Sequence, residues 1–164
     1  MQKRTSPLKF GRLAENSGLN SVPNLSTKVR EDAARRAVGT AEEAVAFASL
    51  TRMAQNGEDM AAMVAETGAV MDAVAAVTDE SDASARECAA AMLREIACKT
   101  ADLAEKVAAD GGIAGLVQCL AYDRGDKRSM FAAQTLGYIA DFKPSLAMAV
   151  VGAVSYTHLR AHET

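Results

Sequence analysis

A chain of 164 residues, 49% hydrophobic yet only 4% aromatic and without Trp, can build one compact domain or a few stacked repeats, and disorder along its whole length is excluded. Abundant alanine, with few aromatic residues, favours closely approaching helices over strands. The net charge of −3 is uneven, with eight Lys/Arg against three Asp/Glu in residues 1–36, and the three cysteines, Cys88, Cys98 and Cys119, give neither a disulfide framework nor a C-x-x-C zinc site and fit a reducing compartment.

Residues 1–38 come first. MQKRTSPLKF lacks the apolar segment of a secretory signal, and no run of 18 apolar residues offers a membrane span. The basic, acid-free opening resembles a transit peptide in charge, but Pro7, Gly11 and Pro23 break the amphipathic helix such a peptide needs. ENSGLNSVPNLSTK has no apolar period, so residues 1–38 read as a basic, disordered arm, with Glu31 to Val38 beginning a helix into the next segment.

From residue 39 to 153 apolar residues fall in adjacent pairs every four positions, which places them on one face of a helix. The first long stripe is Val45/Ala46, Ser49/Leu50 and Met53/Ala54. Forty-three residues on it returns as Cys88/Ala89, Met92/Leu93 and Ile96/Ala97, and again as Phe131/Ala132, Thr135/Leu136 and Ile139/Ala140. After each long helix a polar break leads to a shorter stripe: Met60/Ala61 with Val64/Ala65, Leu103/Ala104 with Val107/Ala108, and Leu146/Ala147 with Val150/Val151. Pro144 suits the first turn of the third of these. Gly68 and Gly111 stand at equivalent places and predict left-handed helix ends. A third helix then follows, VMDAVAAV in one copy and IAGLVQCL in the next, each closed by an acidic loop, TDESDAS or AYDRGDK. No unit could cover its apolar face alone, so the fold is read as stacked tiles of 43 residues.

The last eleven residues, VSYTHLRAHET from Val154, leave this pattern where a glycine-rich junction is due. They match one translated frame of a transposon-end sequencing adapter and are expected to be an artefactual tail, the protein's own sequence continuing past Ala153. Both histidines, His158 and His162, lie in it, so an H-x-x-x-H metal reading is set aside.

Three helices at this period resemble the armadillo repeat: GGIAGLVQCL and SARECAAAMLREIA match that family's G-A-I-x-x-L-V-x-L-L and A-A-x-A-L-x-N-I-A patterns. LREIACKTADLAEKVAADGGIAGLVQC and LGYIADFKPSLAMAVV further resemble armadillo proteins of the axonemal central apparatus, over residues 43 to 151. The resemblance implies an all-α chain, an α-solenoid of armadillo-type three-helix repeats with about 2.7 repeats. It also implies a non-catalytic scaffold in the cytoplasm and cytoskeleton, in the axoneme of a cilium or flagellum, with central-pair proteins or tubulin as partners. The alternative, from the fold alone, is a general adaptor binding a peptide or protein in nuclear transport or signalling. A small-molecule substrate, a cofactor, a metal and a membrane are not expected. The basic arm could touch the acidic surface of tubulin or of nucleic acid, the latter disfavoured without interleaved aromatics.

In armadillo stacks the long helices line the concave groove, so the candidate protein-binding residues are Arg52, Glu95, Gln134 and Tyr138. Ala48, Ala91 and Gln134 stand where the family's nuclear-import adaptors carry Trp, and Arg52, Glu95 and Tyr138 where they carry Asn. The ladder that clamps a basic peptide is therefore missing and an import function is disfavoured. These residues also read as ordinary solvated surface, with Glu95 paired to Lys99 one turn on. Cys88 and Cys119 are expected in the buried stripe and Cys98 near a helix end, as small core residues rather than reactive thiols. Met53, Met60 and Met92 are expected to pack. Gly111 to Gly115, GGIAG, lacks the spacing of a phosphate loop and predicts a cap and a close helix approach. With no nucleophile beside a base, enzyme activity is the least favoured class.

Overall fold

The computed structural model describes residues 39, 41–79, 82–122 and 127–161; the arm expected over 1–38 and His162 lie outside them. Among the described residues there is no strand. The helices are α1 (41–55), α2 (Glu58–Glu66), α3 (Ala69–Thr78), α4 (Ala83–Ala97), α5 (Ala101–Ala109), α6 (Gly112–Tyr122), α7 (Lys127–Phe142) and α8 (Pro144–Ala161).

The tile is visible in the joints. Helices α2, α5 and α8 begin at Glu58, Ala101 and Pro144, each 43 residues after the last. Three different chemistries serve this one joint. Gly57 takes φ 145°, a conformation reserved for glycine. The Thr100 hydroxyl accepts the Leu103 amide at 3.2 Å. Pro144 fills the first helical position, where no amide hydrogen is needed. Thus α2–α3–α4 and α5–α6–α7 are complete units, α1 is the long helix of a unit before them, and α8 opens a unit after them.

Gly68 and Gly111 both adopt φ 88°, as their spacing predicts, and α2 meets α3 at 76°. The third equivalent position holds Val154. A β-branched side chain resists the left-handed conformation. The chain accordingly does not turn there, and α8 runs for 18 residues, twice the nine of α2 or α5. Residues 154–161, expected as a foreign tail, are helical in continuity with it.

The second and third stripes are buried: Ala89, Met92, Leu93, Ile96 and Ala97 on α4, and Ala132, Thr135, Leu136 and Ile139 on α7. Met92, Leu93 and Ile96 each contribute about 1.5–3 kcal/mol by leaving water. The buried Thr135 hydroxyl is satisfied within its own helix, donating to the Phe131 carbonyl at 2.6 Å. Cys88 is half-buried rather than in the core, because its place lies at the stripe's edge.

The first stripe does not hold. Val45 is 67% exposed, Ala46, Ser49 and Met53 are also exposed, Leu50 is half-buried, and only Ala54 is fully buried. Instead α1 buries Ala44 and Phe47. The reason is that a long helix packs on two faces. Its leading face, Glu87, Ala90, Ala91 and Arg94 on α4, is half or fully buried, whereas the equivalents on α7, Met130, Ala133, Gln134 and Gly137, are exposed, since no long helix follows α7 among the described residues. Its trailing face, the predicted stripe, is covered by the short helices of its own unit and by the preceding long helix. Among the described residues no earlier unit precedes α1, and its stripe is open. Met53 is exposed for this reason, Met60 on α2 is half-buried, and only Met92 packs as expected.

Small residues set the helix spacing. A Cβ added at Gly115 of α6 would lie 3.4 Å from Thr78 Cγ2 and 3.6 Å from Val74 Cγ1 of α3, and one added at Gly112 would lie 2.6 Å from the Val107 carbonyl oxygen. GGIAG is therefore the predicted cap and close approach. Across the acidic loop, the buried Arg86 donates its Nε to the Asp79 carbonyl at 3.0 Å, fastening the end of α3 to α4.

Candidate protein-binding surface

Helices α1, α4 and α7 carry Arg52, Glu95 and Tyr138 at one equivalent position, and Ala48, Ala91 and Gln134 one turn earlier. Arg52, Gln134 and Tyr138 are exposed, while Glu95 is half-buried. Arg94 joins two of the four. Its guanidinium pairs with the Glu95 carboxylate, donates Nη1 to Gln134 Oε1 at 3.4 Å, and lies 5.0 Å from the centroid of the Phe131 ring. The planar, delocalised arginine head can do all three at once, bracketing α4 to α7. Arg52 and Tyr138 stand apart and make no side-chain hydrogen bond among the described residues.

Glu95 therefore does not take the expected partner Lys99. Arg94 reaches it first because that guanidinium is already held against α7 by the Phe131 ring. Sequence reading missed Arg94, although a signal existed: its equivalents are Thr51 and Gly137, so a long cation stands where the other tiles are small. Gln134 and Tyr138 owe their exposure to the open leading face of α7, which Met130 and Phe142 extend as exposed apolar surface. The surface thus offers a cation at Arg52, a neutralised Arg94–Glu95 pair, an amide and a phenol. It has no ladder of stacking rings.

Elsewhere the seams are polar at their rims. Lys143 Nζ meets Glu105 Oε2 at 2.6 Å, tying the α7–α8 joint to α5, and the hydrogen bond raises the Lys143 pKa. Cys119 is buried in α6, and Cys98 caps α4 with its thiol donating to the Glu95 carbonyl at 3.3 Å. Burial pushes the thiols of Cys88 and Cys98 up, helped by Glu87 and Asp82 at the first and by Glu95 at the second. Such thiols carry little thiolate at neutral pH, which makes them weak nucleophiles. Among the described residues no three or more His, Cys, Asp or Glu are placed to hold a metal, and no single helix is long and apolar enough to cross a membrane.

No protein-family model matches the sequence, and no curated protein matches it. Solved structures of designed proteins do. A designed armadillo repeat protein superposes with a TM-score of 0.62 at 21% identity over 67% of this chain and 45% of its own. An engineered protein gives 0.65 at 23% over 70% and 45%, and another gives 0.58 at 24% over 63% and 25%. The chain spans less than half the length of each. The architecture is that of an all-α solenoid of armadillo-type repeats.

Proposed function

We propose that the chain is a non-catalytic armadillo-type scaffold that binds protein partners in the central apparatus of the ciliary or flagellar axoneme. One observation carries this reading: LREIACKTADLAEKVAADGGIAGLVQC and LGYIADFKPSLAMAVV resemble the central-apparatus protein known in animals as sperm-associated antigen 6. The stacked units support the scaffold part, because repeats of this kind present long surfaces to partners and carry little else. Central-pair proteins or tubulin are the partners, met through exposed residues of the long helices such as Arg52, Gln134 and Tyr138. A peptide-clamping adaptor is less well supported, since Ala48, Ala91 and Gln134 offer no ring on which an extended peptide could stack.

The test is localisation followed by extraction. A tagged copy expressed in a flagellated cell should remain with salt-washed axonemes; a diffuse cytosolic signal that washes away would remove the axonemal reading. Transcript sequence beyond the codon for Ala153 gives a second check, with another helix of the same register expected in place of VSYTHLRAHET.

A further inference from the structure

The joint between a long helix and the short one after it recurs at Gly57, Thr100 and Lys143, and the residue there decides how freely it bends. Lys143 precedes Pro144, whose ring confines it to extended backbone, and its ammonium is held by Glu105 of α5. Thr100 is β-branched, and its hydroxyl accepts the Leu103 amide. Gly57 has neither restraint. It makes no side-chain cap, an added Cβ would meet nothing within 4 Å, and both its own φ of 145° and the −143° of Thr100 are open to a glycine.

The seams beside these joints differ in the same order. Between α4 and α7, Arg94 reaches across to Phe131 and Gln134. Between α1 and α4 the same places hold Thr51, Cys88 and Ala91. The Thr51 hydroxyl donates to the Phe47 carbonyl of its own helix at 2.7 Å, and neither a thiol nor a methyl group can supply the missing bracket. At the places of Glu105 and Lys143 stand Ala62 and Thr100, which cannot form an ion pair. What holds α1 is the burial of Ala44, Phe47 and Ala54, with Leu50 half-buried, and of the buried three only Phe47 is large. One large apolar anchor fixes a point but resists rotation poorly, since burial is not directional.

We infer that Gly57 is the hinge of this solenoid: α1 rocks as an intact helix about Phe47, while α2–α8 move as one latched body. The joint and the α1–α4 seam are both interior to the described residues, so the device does not depend on what precedes α1 or follows α8. Its consequence is for recognition. Arg52 rides on α1, whereas Glu95, Gln134 and Tyr138 belong to the latched body. Rocking therefore changes the distance from Arg52 to the other three and leaves theirs fixed, so the candidate surface adjusts at one end and is preset at the other. The hinge is independent of where in the cell the protein works.

Distances between paired spin labels in the full 164-residue chain test this. With Cys88, Cys98 and Cys119 replaced by alanine, labels go on exposed residues: Ser49 with Asp72 across the hinge, Asp72 with Gln118 inside the α2–α8 body, and Glu42 with Gln55 inside α1. The distance distribution across the hinge should be about twice as broad as the other two. Transplanting the bracket, as Thr51→Arg with Cys88→Phe and Ala91→Gln, should narrow it to their breadth. Gly57→Thr, which copies the Thr100 joint, should narrow it independently, with circular dichroism reporting that each variant is folded. The hinge is overturned if the pair across it is as narrow as the pair inside the body, or if the pair inside α1 is as broad as the pair across the hinge, since α1 then frays rather than rocks. A folded bracket or Gly57→Thr variant whose breadth is unchanged overturns it equally.

Discussion

Glycine shows how far one residue type can differ in what it contributes. Gly111 holds φ 88°, whereas Gly137 sits in the body of α7 with open space where a side chain would go. Gly111→Ala should lower stability by about 1–2 kcal/mol, the cost of a left-handed L-residue. Gly137→Ala should raise it by about 0.5–1 kcal/mol, because the residue leaves a helix interior of poor propensity. Urea unfolding midpoints that move in the same direction would contradict this assignment. The thiols give a pH prediction at the same scale. Cys88 and Cys98 have raised pKa values, so alkylation of either should be slow at neutral pH and keep accelerating past the pH at which a solvated thiol levels off. For stability the sign is that of an acid held protonated: the contribution is intact below the ordinary thiol pKa and is lost as pH climbs from there through the folded value. Gly68 and Gly111 were legible from their 43-residue spacing, since a cap repeats with the tile. Arg94 was not, since two of its partners, Phe131 and Gln134, lie on another helix.

Between elements, the α4–α7 seam is where packing and polar contact meet. A double-mutant cycle with Arg94→Ala and Phe131→Leu should return a coupling of about 0.5–1 kcal/mol, the range for a partly solvated cation over a ring. No coupling would mean that the guanidinium only rests there. Helix α8 supplies another test, because Val154 stands where Gly68 and Gly111 turn the chain. Val154→Gly should weaken the helix there by about 1 kcal/mol. Amide exchange over 155–161 should then quicken while 58–109 is unchanged. The paired apolar pattern disclosed the long helices and one of their faces. It concealed the other face, because Glu87, Ala90, Ala91 and Arg94 are small or charged and do not look like a packing surface. For α1 the consequence was an inverted expectation, with Val45 and Met53 assigned to a core that begins at Ala44 and Phe47.

At the scale of the molecule, each unit is held only by its neighbours, so stability should fall from the middle outward. Native-state hydrogen exchange is expected to be slowest in α4, which packs against α2, α3, α5 and α7, and fastest in α1 and α8. Uniform protection along the chain would speak for a single indivisible core instead. The solenoid was legible because its period is written in small and apolar residues alike, from Leu93 to Leu136 and from Gly68 to Gly111. The candidate surface was less so: Arg52, Glu95 and Tyr138 share a position in the tile, but their surroundings depend on whether another long helix follows.

Because Gly57, Thr100 and Lys143 occupy one and the same hinge of the repeat, the molecule is divisible at those points as a sentence is divisible at its commas. Excising residues 58–100 would bring Gly57 directly before Ala101, a union with the geometry the chain already uses, and duplicating that span would be equally undemanding. Length is therefore the property that evolution or an engineer can alter in such a chain with the least rewriting of its text.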